Sequence, residues 1–369
     1  MKRIVMTVGA LAMTASAASA GGITRSGQSL GALFEEGRYA ELSLGSVNPD
    51  VSGNDVAMFG GGSSGSVADR YSQLAFSYKY DINEKLSFAM VLDQPFGADI
   101  EYAASSVALG GTIAKAEATA LTGLLRYKFN DAFSVHGGAR AQRSSANVTL
   151  RGLAYGGLNG YNVDLAQDTG FGYVVGVAYE KPEIALRVAL TYNSAITHDF
   201  DTVETLGGGV IGVTPTEVDT PQSVSLDFQT GVAKDTLVFG QIRWEDWSAF
   251  KLDPATFTGL VGSGLIDLVD TTTYTLGVGR RFNENWSGSV SFSYEGKDDP
   301  LVSPLAPTDG KKGVTLAAVY TKDNMKITTG INYTKLGDST PETGTPDTAR
   351  ADFSGNTALG IGVRVGFRF

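Results

Sequence analysis

Few side chains in this sequence stand where they could do chemistry. The only histidines, His136 and His198, share no metal-ligand spacing, and there is no cysteine. Zinc and thiolate sites need such residues at short fixed intervals, so no metal and no cofactor are expected. Gly207, Gly209 and Gly212 spell G-x-G-x-x-G. That motif cradles phosphate only between a strand and a helix, and without that context a glycine-rich loop is expected. Asp298 and Asp299 could draw a divalent cation, though solvated loop charge is the simpler reading. No nucleophile, base and acid come together, so no enzyme is expected. What is left is Arg140, with His136 and Gln142 at two-residue spacing. On an extended strand these three share one face. A guanidinium there can hold a carboxylate ligand bidentately, or it pairs with an acid of the chain itself.

The elements that would carry Arg140 are strands. Residues 1–20 are set aside first: Lys2 and Arg3, the apolar stretch Ile4 to Met13, and Ala18-Ser19-Ala20 form a secretory signal peptide. Nothing after residue 20 nears the roughly 18 uninterrupted apolar residues of a spanning helix. Gly makes up 47 of 369 residues and the hydrophobic fraction is 42%, so apolar residues are diluted by Ser, Thr and Gly, as strands with one apolar face require. Without Lys2 and Arg3, 27 basic residues face 39 acidic ones, a net −12 that argues against nucleic acid as a partner.

Period-two alternation recurs along the chain. Trp286, Gly288, Val290, Phe292 and Tyr294 share one face, and Ser287, Ser289, Ser291, Ser293 and Glu295 the other. Leu359, Ile361, Val363, Val365, Phe367 and Phe369 alternate with Gly360, Gly362, Arg364, Gly366 and Arg368. Two arginines on the second face point to a wet lumen. Fourteen strands are expected, near 39–48, 70–80, 85–95, 117–129, 132–143, 170–180, 183–194, 222–232, 236–247, 271–282, 285–295, 313–321, 324–335 and 356–369. Short turns rich in Asn, Asp and Lys alternate strictly with long stretches near 49–69, 96–116, 144–169, 195–221, 248–270, 296–312 and 336–355. Outer-membrane barrels join their strands in this way, with short periplasmic turns and longer outer loops. The expected fold class is therefore all-β: a transmembrane antiparallel β-barrel with both termini periplasmic. Tyr78, Tyr80, Tyr127, Phe129, Tyr179, Phe282 and Trp286 beside the short turns suit an aromatic girdle.

Four passages resemble the outer-membrane transporters of long-chain fatty acids, a family that includes aromatic-hydrocarbon channels. They are Gly31-Ala32-Leu33-Phe34 running into Ala40–Gly45 and Asn48-Pro49-Asp50, then Gln94-Pro95-Phe96-Gly97, then Arg243–Phe250 with its W-x-x-W-S-x-F pattern, and the terminal Arg364–Phe369. The family triplet Asn-Pro-Ala is absent, and Glu35-Glu36-Gly37 follows Phe34 instead. The resemblance implies three parts: the signal peptide 1–20, an N-terminal lumen plug 21–38 containing Leu33 and Phe34, and the barrel 39–369. It implies passive uptake of hydrophobic compounds, foremost long-chain fatty acids. Ligand would be caught by outer loops, held in an apolar lumen pocket and released sideways where the third strand kinks. Gly97, after Pro95 and Phe96, is the candidate gate, Arg140, in a family-like Ala-Arg-Ala context, the head-group partner, and Leu33, Phe34 and Phe96 candidate ligand contacts. Leu153 and Tyr155 add to an apolar rim. Phe257, Leu260 and Leu265 make the stretch 248–270 unusually apolar, for either capture or cover of the mouth. Expected partners are the hydrophobic ligand, outer-membrane lipid and lipopolysaccharide, and the barrel-assembly machinery through Phe369, with the chain a monomer. The alternatives are a general porin-like channel, a structural outer-membrane protein or an outer-membrane enzyme.

Overall fold

The computed structural model describes residues 22–298 and 300–369; the expected signal peptide and Asp299 lie outside the described residues. The barrel strands are β1 Tyr39–Asp50, β2 Tyr71–Asp81, β3 Leu86–Asp93 resuming as Gly97–Glu101, β4 Ile113–Lys128, β5 Phe133–Leu150 and β6 Tyr161–Lys181. Next come β7 Leu186–Asn193 resuming as Ile196–Leu206, β8 Gly209–Thr220 resuming as Ser223–Ala233, β9 Thr236–Glu245 and β10 Thr271–Arg281. The last four are β11 Trp286–Glu295, β12 Lys311–Lys322, β13 Met325–Leu336 and β14 Thr357–Arg368. Each pairs antiparallel with its chain neighbour, and β14 closes on β1 from Tyr39↔Arg368 to Asp50↔Thr357. Closure joins the last strand to the first, the arrangement by which strands satisfy their backbone groups in hydrocarbon. Among the described residues no helix is long and apolar enough to cross a membrane.

Alternation decides which way each strand faces. Trp286, Phe292 and Tyr294 of β11 are exposed outward, as are Leu276, Leu316, Ile331 and Ile361 on other strands. Inward positions are buried and polar: Thr122, Arg126, His136, Arg140, Gln142, Arg243 and Glu245. Three of the short turns are built by asparagine. Asn83, Asn130 and Asn283 each accept two backbone N–H bonds within three residues, which reverses the chain without a long loop. At the same end the N–H of Phe369 donates to Arg38 O, securing the last residue against the start of β1.

The opposite end departs from the expected loop plan. Positions 144–150 and 161–169 continue β5 and β6, and 196–206 with 209–220 form a hairpin arm instead of a loop. In the arm Ile196, His198 and Phe200 are buried while Thr197, Asp199 and Asp201 are exposed. Its alternation is therefore acidic on one face, and a reading tuned to lipid-facing apolar residues misses it. Gly207 and Gly208, both at positive φ, form the arm's tip, so the glycine motif is a hairpin turn. β9 ends at Glu245, and Trp247 begins a short 3-10 turn in the following loop. The largest apolar cluster lies at this end, where Tyr102, Leu109, Tyr161, Trp247, Phe257 and Phe353 pack the long connections together over the barrel mouth.

Candidate functional site

The wall is interrupted at β3. Pro95 has no N–H to give, and the ladder between β2 and β3 stops at Phe76↔Leu92. The N–H of Leu74, which would meet the backbone of residue 94, donates instead to the side chain Oε1 of Gln94 at 3.0 Å. β3 resumes at Gly97, paired only with β4, and meets the β2 side again through Asp69 N–H on Asp99 O at 2.9 Å. Between these points β2 and β3 part.

The N-terminal segment fills the opening. Gly97 N–H donates to Ile23 O at 2.9 Å, while the N–H groups of Arg25 and Ser26 donate to Pro95 O at 2.7 and 3.1 Å. Arg25 lies over the Tyr71 ring at 4.4 Å, and Gln73 Nε2 donates to Arg25 O. A Cβ on Gly97 would sit 2.7 Å from the Arg25 guanidinium carbon, so a larger residue there displaces this packing. From the gap the segment runs through the lumen. Thr24 donates to Glu245, Ser26 to Asp93 at 2.9 Å, and Arg243 to Gln28 at 3.2 Å. Leu33 is buried against Ala89, Val91, Leu124 and Val174. The Phe34 ring takes Arg126 and Arg187 at 4.5 and 4.6 Å and His136 edge-on at 6.0 Å. Glu35 then binds Arg368 and Lys326 near the turn end.

Arg140 is 4% exposed and faces the lumen, as its spacing requires. Its Nε donates to Thr122 Oγ1 at 2.8 Å, and the charges of Asp93 and Arg243 act on it. His136 and Gln142 share its face but turn to other partners, Thr191 at 3.0 Å and His198 at 3.2 Å. The three side chains do not converge on one point. Several voids lie around the segment. A crevice of about 130 Å³ is bounded by Arg25, Ser29, Gln73, Asp93, Asn332 and Arg364. One of about 80 Å³ adjoins Leu30, Phe34, Arg187, Asp227 and Phe239. A chamber of about 40 Å³ lies under the roof, lined by Ile23, Phe96, Leu165, Phe200, Trp247 and Phe250.

The roof decides how the loop candidates behave. Glu204 accepts N–H bonds from Thr256 and Phe257 at 2.8 and 2.7 Å and the Tyr161 hydroxyl at 2.8 Å. This clamps the helix Ala255–Val261 over the mouth, with Phe257 buried 5.0 Å from Tyr161 and Leu265 packed on the same cluster. Of the two readings for 248–270, cover fits this packing. Leu260 and Leu153 stay exposed, and Tyr155 packs on the roof cluster from the third long connection. In the last long connection, burial and the Asp347 charge push the Glu342 carboxyl up to about 7. Phe96 is buried 5.4 Å from Trp247. Trp247, fully buried, joins the roof to the kink, and sequence reasoning placed it in a motif without giving it a site role. Gln73, Gln94, Asp93 and the Arg243–Glu245 pair were missed. Arg243 and Glu245 carried a signal, since two charges at two-residue spacing on one strand face mark an inward polar surface.

Residues 14–369 match the family model described as outer membrane protein transport protein (OMPP1/FadL/TodX). A Pseudomonas aeruginosa FadL homologue is similar in structure, with a TM-score of 0.70 and 14% identity over 92% of each chain. The toluene transporter TodX of P. putida gives 0.63 and 16% over 91% of each chain. The Ralstonia pickettii toluene transporter TbuX gives 0.63 and 15% over 92% of this chain and 91% of that one. No curated protein matches the sequence.

Proposed function

The chain belongs to the OMPP1/FadL/TodX family of outer membrane transport proteins, and we propose that it takes up hydrophobic compounds by a lateral route, with long-chain fatty acids as the leading cargo and monoaromatic hydrocarbons as the second. The observation that carries this reading is the parted wall between β2 and β3, filled by residues 23–26. Backbone groups facing hydrocarbon must be satisfied, and here they are satisfied by a plug and by glutamine side chains instead of by a neighbouring strand. These bonds belong to the insert and to side chains and not to the ladders of the barrel, so the filling can leave without unzipping the barrel. Hydrophobic solutes gain from such a route because apolar contact stabilises them at about 0.8 kcal/mol per buried CH₂, which a water-filled pore does not offer. A roofed mouth and a lumen crowded with buried side chains speak against a general porin.

In this reading residues 21–38 are a mobile plug, Gly97 marks the gate and Arg140 receives a carboxylate head group. The turn end faces the periplasm with both termini, Phe369 is read by the assembly machinery, and one barrel works alone. The toluene transporters among the similar structures are the reason to keep aromatic cargo as the second reading. The test is a reversible lock: Leu74→Cys with Gln94→Cys, opposite each other across the gap, reconstituted in vesicles. Oxidation should stop uptake of a fluorescent fatty acid and reduction should restore it. Undiminished uptake in the oxidised, cross-linked protein would rule out the gap as the exit.

A further inference from the structure

We propose that the outward face of β12 and β13, at the loop end, docks the phosphate groups of outer-leaflet lipopolysaccharide; the inference rests on the orientation proposed above. Lys312 and Lys335 are direct partners across the β12–β13 ladder. Both are exposed, and each lies two residues from an outward-facing neighbour, Val314 and Tyr333. Opposite residues in a ladder hold their Cβ atoms about 4.5–5.5 Å apart, where like charges repel. The inward neighbour Lys311 is neutralised by Glu295 at 2.9 Å. Among the described residues the outward pair has no such acid opposite it in the ladder. Lys312 faces Tyr294 of β11, and Lys335 faces Thr357 of β14, with Asp50 of β1 one strand further.

The level of the pair in the membrane follows from the aromatics. Tyr274, Tyr294 and Tyr333 are exposed on the outer wall, and the Lys312 ammonium lies 5.9 Å over the Tyr294 ring. Aromatic side chains of this kind mark the membrane–water boundary, so the two ammonium groups stand at head-group height. The positive charge is local. On the β7–β8 arm Asp199 is opposite Glu217, with Asp201 and Asp219 on the same exposed face. A phosphate held between Lys312 and Lys335 converts their repulsion into charge-assisted hydrogen bonds. Lipid A, with phosphate at the head-group level of the outer leaflet, fits that charge and that height.

Native mass spectrometry of the detergent-solubilised mature protein tests this with bisphosphorylated lipid A and with lipid A stripped of phosphate. The wild type should retain the phosphorylated lipid. Lys312→Glu with Lys335→Glu should weaken retention about tenfold or more, and the double Arg variant should preserve it. Equal retention by wild type and the Glu variant, or equal binding of the stripped lipid, overturns the proposal. If the Glu variant does not fold, Lys312→Gln with Lys335→Gln makes the same comparison. Labelling of Val210→Cys in intact cells by an impermeant maleimide tests the orientation separately, so failure of lipid binding on a correctly oriented protein counts against the docking surface alone.

Discussion

At the scale of single residues, the lumen is governed by charges that are buried and shared. Arg140 gives its Nε to Thr122 and stands in the field of Asp93, which Ser26 of the N-terminal segment also binds. Of the two roles that its spacing allowed, the field of Asp93 matches the one turned to an acid of the chain, and the head-group role belongs to the function proposed above. Arg140→Ala separates the two candidate cargoes. It should weaken binding of a fatty acid, by about tenfold for the lost charge-assisted bonds, and leave binding of toluene unchanged. Equal affinity of wild type and variant for the fatty acid in a detergent binding assay would remove Arg140 from the ligand site. The residue type and facing of Arg140 were legible in the sequence, because alternation alone fixes which face a strand residue occupies. Its neighbours were not, because Thr122 lies on another strand and Ser26 on a segment with no period of its own.

At the scale of elements, two segments depart from regular strands, and each departure has an identifiable cause. At β3, Pro95 removes a donor and Gly97 admits Arg25 against the backbone. The roof depends on one carboxylate, since Glu204 on the arm holds the backbone N–H groups of Thr256 and Phe257 together with the Tyr161 hydroxyl. Glu204→Gln replaces charge-assisted bonds by weaker neutral ones and should loosen the helix Ala255–Val261 by about 1–3 kcal/mol. Hydrogen exchange should then quicken over residues 255–262 while β11 to β13 stay protected; unchanged exchange in the helix would show that apolar packing alone holds the roof. The kink was readable from Gln94-Pro95-Phe96-Gly97. The arm was not, because its exposed face carries acids where a membrane strand carries apolar residues.

At the scale of the whole molecule, the strands form one closed ladder, and the N-terminal segment is an insert tied to it by polar contacts and by the burial of Leu33. A mature chain lacking residues 22–34 should still form a barrel whose migration on a gel shifts only on heating. A chain that runs unfolded without heating would show instead that the segment is part of the folding core. The sequence by itself determined the barrel class, the strand number and the inward and outward faces. These follow from a period of two and from turn chemistry, both of which are local along the chain. Only the tertiary structure decided that residues 23–26 fill the gap beside Gly97, that Trp247 joins roof to kink, and that Lys312 faces Lys335. Those contacts join residues that are distant in sequence, and their register depends on how fourteen strands stagger as they close.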